Sequence, residues 1–513
     1  MSPRQRICGP FRISVPTRGD ALLRQLNEVV GGPMGSRSAP GLVRPGYFTV
    51  PRVLILMTTT AALVGLLLKT PCRVGGWTPP EQFYMTCYSD WTELFLSRGL
   101  GWGAFPLIDR SMLFEYPVLL AVLAGVTSLL VAPAQATGLG DQARAAQYFD
   151  VNATLLAGVW IITVLVTMRL ANRRPWDAAM VAVAPGIIFA GTINWDLWAV
   201  MLTALGMLAF ARHRPLLAGV IFGLGTAVKV YPLLLLGAIL VLAVRTKMVR
   251  PFVLAASGLI ATWAVVDIPF MLHDLDAWKY FLDFTQDREA GLSSVWFVYN
   301  AVAGPLALPL LDPATINTLG LLLFILACGA ILVLGLAAER RPRLAQLAVL
   351  IVGAFILTNK VYSPQFVLWL IPLVALAVPR WRTYVLWQLL EVLHWWAVWM
   401  YLGAQTGGGA TEHNIDETYY VFAVIGHILG TLYVMVAVVM DIFHPRSDPV
   451  RRLGIDDPQG GPFDHAPDRY TLLPQTGDGE QPVKSSGPIV IPEGPRAARV
   501  GLAQSRPPVK DPP

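Results

Sequence analysis

Long apolar segments recur along the chain from about residue 52 to about residue 443, and short polar or basic segments separate them. Segments of roughly 17–25 apolar residues are long enough to cross about 30 Å of hydrocarbon as α-helices. The strands of a membrane β-barrel would instead alternate apolar and polar residues over about ten positions, and the runs here are continuous. The pattern therefore predicts an all-α polytopic membrane protein.

Basic clusters predict the orientation of these segments, because cytoplasmic loops of membrane proteins are enriched in Lys and Arg. The apolar run at 116–132 decides the topology, since it is long enough to be mistaken for a span. If it crosses the membrane, every later basic cluster faces outward, opposite to the arginine-rich N-terminal arm. If it lies in the outer interface as a juxtamembrane helix, the arm and all the clusters are cytoplasmic, so this second topology is expected. The clusters lie at 172–174, 212–214, 245–250, 339–343, 380–382 and 446–452.

This topology predicts about twelve spans, with both termini in the cytoplasm and a large outer loop over residues 71–150. A second outer-face or re-entrant segment is expected at 295–311, where Gly304, Pro305 and Pro309 interrupt the apolar run. The predicted spans are 52–68, 151–171, 177–194, 197–211, 215–230, 232–244, 252–271, 315–337, 344–358, 366–379, 383–402 and 419–443, and the pieces between 197 and 244 are short.

Composition supports the same architecture and adds domain boundaries. The chain is 55% hydrophobic and 14% charged, whereas soluble domains are about 45–50% apolar and about 25% charged. Residues 1–50 are predicted to form a disordered cytoplasmic arm, 51–444 the transmembrane domain, and 445–513 a disordered cytoplasmic tail. The arm is too long to be the n-region of a signal peptide. The net charge of +6 follows from the orientation of the loops and indicates no nucleic-acid partner.

Polar residues collect at the predicted outer ends of the spans. A transporter would be expected to concentrate them near the membrane midplane, whereas a one-sided polar surface suits chemistry on a lipid-borne substrate whose head group lies at the interface. The candidate residues are Asp90, Glu115 and Tyr116 in the first outer loop, Asn194 and Asp196 between two spans, Lys229 and Tyr231 further on, and Lys360, Tyr362 and Gln365 near the end.

Several of these candidates have a second interpretation. Asp90 is either a solvated loop carboxylate or a reactive one. Asp196 either caps the helix that starts at Leu197, where a carboxylate satisfies free N–H groups, or belongs to a polar site. Lys229 and Lys360 either extend towards the interface, since a lysine at the bilayer centre costs about 2.5–3.5 kcal/mol, or bind a phosphate group.

Cysteine and histidine usage indicates no cofactor. Cys72 and Cys87 share the predicted outer loop, so they either form a disulfide, as an oxidising compartment allows, or remain free thiols. The sequence has no cluster with metal-ligand spacing and no phosphate-cradling Gly-rich motif. His273 with Asp274 and Asp276 has the composition of a cation site, but a helix-start cap explains these residues better. We therefore expect neither a metal nor a cofactor.

Five segments carry a family resemblance when they are taken in order. They are Asp90 soon after the first span, Glu115-Tyr116-Pro117, Asn194-Trp195-Asp196, residues 215–219 leading to 229–233, and residues 360–372. Together they resemble the actinobacterial integral-membrane mannosyltransferases of glycosyltransferase family 87, which have the GT-C fold. The resemblance covers residues 50–445, and the segments that begin at Lys229 and Lys360 are its most specific parts.

The resemblance implies a GT-C-like bundle and a polyprenyl-phosphate sugar donor, with mannose as the expected hexose. It also implies an envelope glycan or glycolipid acceptor on the outer face of the plasma membrane, and an outer-loop aspartate, here Asp90, as the catalytic group. One carboxylate can deprotonate an acceptor hydroxyl, and Lys229 or Lys360 can stabilise the departing phosphate. A single displacement inverts the anomeric centre, with Asp196 or Glu115 orienting the sugar.

Two other functions are compatible with the sequence. A carrier or flippase for lipid-linked sugars would use the same lysines without needing a base, and inverted repeats or midplane charges would favour it. A non-catalytic envelope scaffold would act through its cytoplasmic tails. The expectation that follows from the polar residues and the resemblance is a hexosyltransferase.

Overall fold

The computed structural model describes residues 48–109, 112–131, 138–407, 415–453 and 456–473. The chain divides into two units, residues 1–473 and 474–513, and the described residues all belong to the first. The predicted N-terminal arm lies almost entirely outside the described residues, and so does the predicted tail beyond residue 473. Within the described ranges the regular structure is helical and no β-strand occurs.

The apolar runs fold as helices because a helix pairs every backbone N–H and C=O within the run, which lipid cannot do. The first part of the chain contains α1 (Val50–Leu67), α2 (Thr70–Gly75), α3 (Glu81–Tyr84), α4 (Asp90–Ser97), α5 (Val118–Ser128), α6 (Asp141–Leu170), α7 (Ala179–Ala182), α8 (Pro185–Ala190), α9 (Asp196–Ala211), α10 (Pro215–Val228) and α11 (Leu235–Thr246). The second part contains α12 (Val249–His273), α13 (Leu275–Asp287), α14 (Val295–Ala303), α15 (Pro313–Ala337), α16 (Leu344–Thr358), α17 (Val367–Ala377), α18 (Trp381–Thr406) and α19 (Glu417–Phe443).

Among the described residues, five helices are long and apolar enough to cross a membrane, namely α1, α6, α12, α15 and α19. Only 17% of the most apolar window of α15 is buried inside the protein. Such an exposed apolar surface is typical of a helix that faces lipid, because water would make it an aggregation site. The prediction of an all-α polytopic membrane protein is confirmed.

Several predicted spans fall on shorter helices, because proline divides or shortens them. The span expected at 177–194 is divided into a 3₁₀ turn, α7 and α8, and Pro185 begins the last of these. Helices α9, α10 and α11 contain 16, 14 and 12 residues, in the region where the apolar runs are short. Helices therefore occur where spans were predicted, but several boundaries differ.

Helix α5 occupies the apolar run that decided the predicted topology. It contains 11 residues, so it is roughly 16 Å long, about half the thickness of the hydrocarbon core. It packs against α6, α10 and α12. A helix of this length is too short to cross the membrane. The expected topology places it in the outer interface, and its length is consistent with that position. The apolar run at 295–311 also forms only a short helix, because α14 ends at Ala303, just before Gly304 and Pro305.

Helices α10 and α12 approach each other at glycine residues. Gly219 of α10 faces the carbonyl of Ala255, and Gly258 of α12 faces the carbonyl of Leu216, so that a Cβ on either glycine would overlap the facing oxygen. Small residues let the backbones of membrane helices come close. This contact fixes α10, and Lys229 directly after it, against α12.

Residues 445–453 and 456–473 are packed, although the sequence pattern placed them in a disordered tail. The Asp448 carboxylate accepts hydrogen bonds from the Arg343 guanidinium at 2.8 and 3.1 Å, and both side chains are fully buried. Asp468 pairs with Arg245 at 2.8 Å. The prediction of disorder does not hold for this segment, because ion pairs with distant arginines order a stretch that has no apolar period of its own.

Candidate active site

Asp90 is the first residue of α4, and backbone contacts tie this helix start to the segment before α9. The Asp90 N–H donates to the Ile193 carbonyl at 2.9 Å, and the Ser89 hydroxyl donates to the Thr192 carbonyl at 2.8 Å. These bonds join segments more than a hundred residues apart in the chain. Asp90 is thereby placed beside Asn194.

The Asp90 carboxylate receives hydrogen bonds from two other predicted site residues. Asn194 donates through Nδ2 to Oδ2 of Asp90 at 2.7 Å, and the Tyr116 hydroxyl lies 3.3 Å from the same oxygen. The side-chain oxygen of Asn194 accepts from the Trp195 N–H at 2.6 Å, which supports the assigned orientation of its amide. The structure therefore brings Asp90, Tyr116 and Asn194 together.

Burial and hydrogen bonding act in opposite directions on Asp90. Burial raises the pKa of the Asp90 carboxyl above its ordinary value of 3.8, and hydrogen bonds from Tyr88 and Asn194 and the charge of Lys229 oppose this. Burial also raises the pKa of the Tyr88 and Tyr116 hydroxyls well above their ordinary value, so both stay protonated and able to donate. The result is a desolvated carboxylate with several donors around it.

Lys229 and Asp196 form an ion pair on the other side of Tyr116. Lys229 Nζ lies 3.5 Å from Oδ2 of Asp196 and 4.8 Å from the centroid of the Tyr116 ring. The Lys229 side chain is 12% exposed and that of Asp196 is fully buried. Lys229 is therefore directed towards Asp196 and the Tyr116 ring.

Asp196 does not cap α9. The residue before the helix is Trp195 and makes no side-chain capping bond. Oδ1 of Asp196 instead accepts from the indole N–H of Trp369 at 2.8 Å, and the Trp369 ring stacks on Tyr231 with centroids 4.6 Å apart. Asp196 thus links α9 to α17 and to Lys229.

The other predicted site residues have partners outside the Asp90 contacts. The Glu115 carboxylate accepts hydrogen bonds from Nε and Nη2 of Arg98, each at 3.1 Å. Lys360 donates to the Gln286 carbonyl at 2.7 Å. Tyr362 lies 3.2 Å from Glu391, and Gln365 is buried in the turn before α17.

The possible cation site after α12 is a helix cap. Oδ1 of Asp274 accepts from the N–H groups of Asp276 and Ala277 at 3.0 Å each. A carboxylate in this position satisfies backbone donors that have no partner within the helix. The capping interpretation of Asp274 is confirmed.

A lysine that the sequence pattern did not single out lies behind the Asp90 loop. Lys69 is 1% exposed, and its Nζ lies 3.1 Å from the Tyr88 carbonyl and 3.5 Å from the Thr86 carbonyl. Burial lowers the pKa of Lys69 to about 7. A basic residue after an apolar run is typical of any span end, so the sequence does not indicate that Lys69 is buried behind the Asp90 loop.

A disulfide between Cys72 and Cys87 holds the same loop, which settles the alternative of free thiols. It encloses a sequence separation of 15 residues, and closing a loop of this size constrains the unfolded chain by about 3 kcal/mol. The indole of Trp77 also donates to the Cys87 carbonyl at 3.0 Å. The segment that carries Asp90 is therefore covalently restrained.

An apolar groove with a volume of about 410 Å³ lies between α1, α6 and α8. Its lining includes the ion pair of Arg73 with Asp150, in which the charged atoms are 2.7 Å apart. Thr192, whose carbonyl accepts from Ser89, also lines the groove. The groove therefore reaches the segment that holds Asp90.

Comparison with known proteins gives a family match for the middle of the chain. The sequence model of glycosyltransferase family 87 matches residues 114–358, a range that includes Tyr116, Asn194 and Lys229. Asp90 lies before this range and is joined to it by hydrogen bonds. A search of curated proteins found no match to the chain. Over residues 114–358 the chain therefore matches glycosyltransferase family 87, and this match together with the long apolar helices supports a membrane glycosyltransferase.

Proposed function

We propose that the protein transfers a hexose, with mannose as the first candidate, from a polyprenyl-phosphate donor to an envelope glycan or glycolipid on the outer face of the cell membrane. The observation that carries the proposal is the Asp90 carboxylate, held by Asn194 and Tyr116 next to the ion pair of Lys229 with Asp196. The carboxylate of Asp90 contacts the Tyr116 hydroxyl, and the ammonium of Lys229 lies over the ring of the same tyrosine. A base and a cation this close together suit a reaction that takes a proton from one substrate and leaves negative charge on the other.

Asp90 acts as the general base in this mechanism. As the acceptor oxygen bonds to the anomeric carbon, the hydroxyl proton passes to the Asp90 carboxylate. The bond between the anomeric carbon and the phosphate oxygen breaks, and its electron pair leaves with the polyprenyl phosphate, which gains one negative charge. A single displacement inverts the anomeric configuration, and a positioned base contributes about 10²–10⁴-fold to the rate.

Lys229 stabilises the charge that develops on the departing phosphate. A fixed cation aimed at developing negative charge lowers the barrier most in a site that excludes water. Asp196 is fully buried and already bonded to Trp369, so its role is to position Lys229 rather than to orient the sugar. Lys360, bonded to the Gln286 carbonyl, is left out of this step.

The apolar groove supports a substrate that carries a lipid. Helices α1, α6 and α8 supply its walls, and a volume of about 410 Å³ accommodates part of a hydrocarbon chain. A chain in the groove would be in apolar contact, while its head group would lie near Thr192, two residues before Asn194.

The basic turn between α9 and α10 supports a site on the outer face. Helix α9 starts at Asp196 and α10 ends just before Lys229, so both site residues lie at the end of the helix pair away from this turn. The turn contains Arg212 and Arg214, and basic loops are enriched on the cytoplasmic side. The opposite end of the pair, with the site, is then outside.

The test uses the purified full-length protein in detergent, radiolabelled polyprenyl-phosphate sugars and a panel of envelope glycolipid acceptors. Wild-type protein should transfer label to one acceptor class, and Asp90→Asn should reduce the rate by about 10²–10⁴-fold with unchanged membrane insertion. Asp276→Asn is the matched control, because Asp276 is an exposed aspartate in the first turn of another helix, and it should keep the wild-type rate.

Two results would contradict the proposal. Turnover of Asp90→Asn at the wild-type rate would remove Asp90 as the base. Movement of the labelled lipid across vesicle bilayers, without any glycosylated acceptor, would identify a carrier instead of a transferase.

A further inference from the structure

Three side chains of metal-ligand type meet inside the helix bundle, and none of them is hydrogen-bonded to Asp90. Glu391 and His394 are three residues apart on α18, so they lie on one face of that helix. His427 comes from α19, which packs against α18. The donor atoms of Glu391, His394 and His427 all lie within 4.8 Å of one another, and all three residues are buried.

Glu391 is oriented by donors on its Oε1 atom. Trp387 Nε1 lies 3.0 Å from this oxygen, and the Tyr362 and Thr431 hydroxyls lie 3.2 Å from it. The second oxygen, Oε2, faces Nδ1 of His427 at 3.5 Å. One oxygen of the carboxylate is thus fully engaged, and the other faces His427.

His427 presents a lone pair to that second oxygen. Its Nε2 lies 3.0 Å from the Ser293 carbonyl, and since a carbonyl only accepts, Nε2 carries the proton. In the neutral ring Nδ1 is then an acceptor that faces another acceptor, Oε2 of Glu391. A proton or a metal ion between the two atoms removes this repulsion.

His394 is a buried group without hydrogen bonds. It is 0% exposed, and neither of its ring nitrogens has a hydrogen-bond partner among the described residues. A buried polar group without a partner destabilises the folded protein, and a carboxylate inside a membrane bundle is retained only when it is paired. A cation bound by His394, His427 and Glu391 together would give His394 a partner and balance the charge of the Glu391 carboxylate.

We propose that Glu391, His394 and His427 bind one divalent transition-metal ion of the zinc class. Two imidazole nitrogens and one carboxylate oxygen form a donor set that suits zinc. The Ser293 carbonyl on the far side of His427, and the donors on Oε1 of Glu391, are the outer-shell bonds that metal ligands usually make. The ion joins α18 to α19 and, through His427, to the segment before α14.

Binding requires His394 to turn. The imidazole rings of His394 and His427 are stacked with centroids 3.7 Å apart and an interplanar angle of 6°. An imidazole binds a metal in the plane of its ring, so two parallel rings do not both point at one ion. His394 has no hydrogen bond to lose, and rotation of its ring exchanges the stacking contact for a metal bond.

The test is zinc binding by the purified full-length protein in detergent after removal of metals with a chelator. Titration with zinc chloride, followed by dialysis and elemental analysis, should give one bound ion per chain and a higher unfolding temperature. His394→Gln should weaken zinc binding by about tenfold or more. The matched control is His444→Gln, because His444 is an exposed histidine just after α19, and it should bind zinc as the wild type does.

A second measurement separates a lost site from a lost fold. Unfolding followed by tryptophan fluorescence without zinc should give similar midpoints for His394→Gln and the wild type, since His394 makes no hydrogen bond. Wild-type protein that retains no stoichiometric zinc would overturn the proposal and indicate a proton between Glu391 and His427. Unchanged zinc affinity in a folded His394→Gln would overturn it as well.

Discussion

The carboxylate of Asp90 is held half-buried between Asn194 and Tyr116, with an ammonium beyond the tyrosine ring. A loop carboxylate usually accepts hydrogen bonds from water, and here donors from the protein replace some of these water molecules. Such a group keeps its negative charge in a fixed direction at a cost in desolvation free energy. This environment favours the reactive interpretation of Asp90 over that of a solvated loop acid.

Activity and stability should respond to the ionisation of Asp90 in opposite directions. Burial holds the pKa of Asp90 above its ordinary value of 3.8, and the base works only when ionised, so the rate should rise with pH through that pKa. The native state binds this proton more tightly than the unfolded state, so the free energy of unfolding should fall as pH rises from 3.8 to the native pKa. Initial rates and thermal unfolding measured against pH check both trends.

The matched control for this prediction is Asp90→Asn, which should lack the stability change across the same interval. A wild-type rate that does not vary with pH across this interval would contradict the assignment of Asp90 as the base.

Lys69 should give the opposite pH signature. Burial lowers the pKa of Lys69 from 10.5 to about 7, so between these values the unfolded state binds more protons than the native state. The free energy of unfolding should therefore rise with pH across that interval, and Lys69→Met should lack this contribution. Chemical unfolding at several pH values checks the difference, with the exposed Lys279→Met as control. Parallel pH curves for Lys69→Met and the wild type would count against a buried charge.

Three helix ends converge at the site, and each has a suitable charge. Asp90 and Asp196 occupy the first turns of α4 and α9, and Lys229 follows the last turn of α10. Helix N-termini favour negative charge and C-termini positive charge, each by about 0.3–1 kcal/mol. The helices therefore stabilise the same charges that the proposed chemistry uses.

Buried ion pairs hold residues 445–453 and 456–473 against the helices. Asp448→Asn should destabilise the protein by about 3–5 kcal/mol, because it leaves the fully buried Arg343 without its anion. The unfolding midpoint in detergent measures this loss. Asp283→Asn, at an exposed position of α13, should change stability little, and an equal effect of both variants would show that the pair contributes nothing specific.

The proposed orientation of the whole molecule can be tested by labelling. Gly140→Cys, just before α6, should react with a membrane-impermeant thiol reagent from outside intact cells, in a protein in which Cys8 and Cys328 are serine. Arg212→Cys, in the basic turn after α9, should react only after lysis, because basic loops stay in the cytoplasm. The reverse pattern would show that the orientation is inverted and that α5 belongs to a span.

What the sequence determines by itself is local. Continuous apolar runs predict helices, because lipid offers no partner to an open backbone. Chemical type identifies Asp90, Asn194 and Lys229 as candidates, and Asp274 as a cap. The interruption after Ala303 also follows from nearby residues, since proline and glycine act within a few positions. The expectation that the run around α5 does not cross the membrane came instead from basic clusters distributed along the chain.

The tertiary structure decides which of these residues meet. Tyr116 reaches Asp90, whereas Glu115 beside it turns to Arg98; adjacent side chains point in different directions, and only the packing of α4, α5 and α9 selects one. Lys69 and the tail residue Asp448 are ordinary charged residues in the sequence, and burial against distant segments makes them important. Contacts between residues a hundred positions apart leave no periodic pattern in the chain, so the site becomes visible only when the helices are packed.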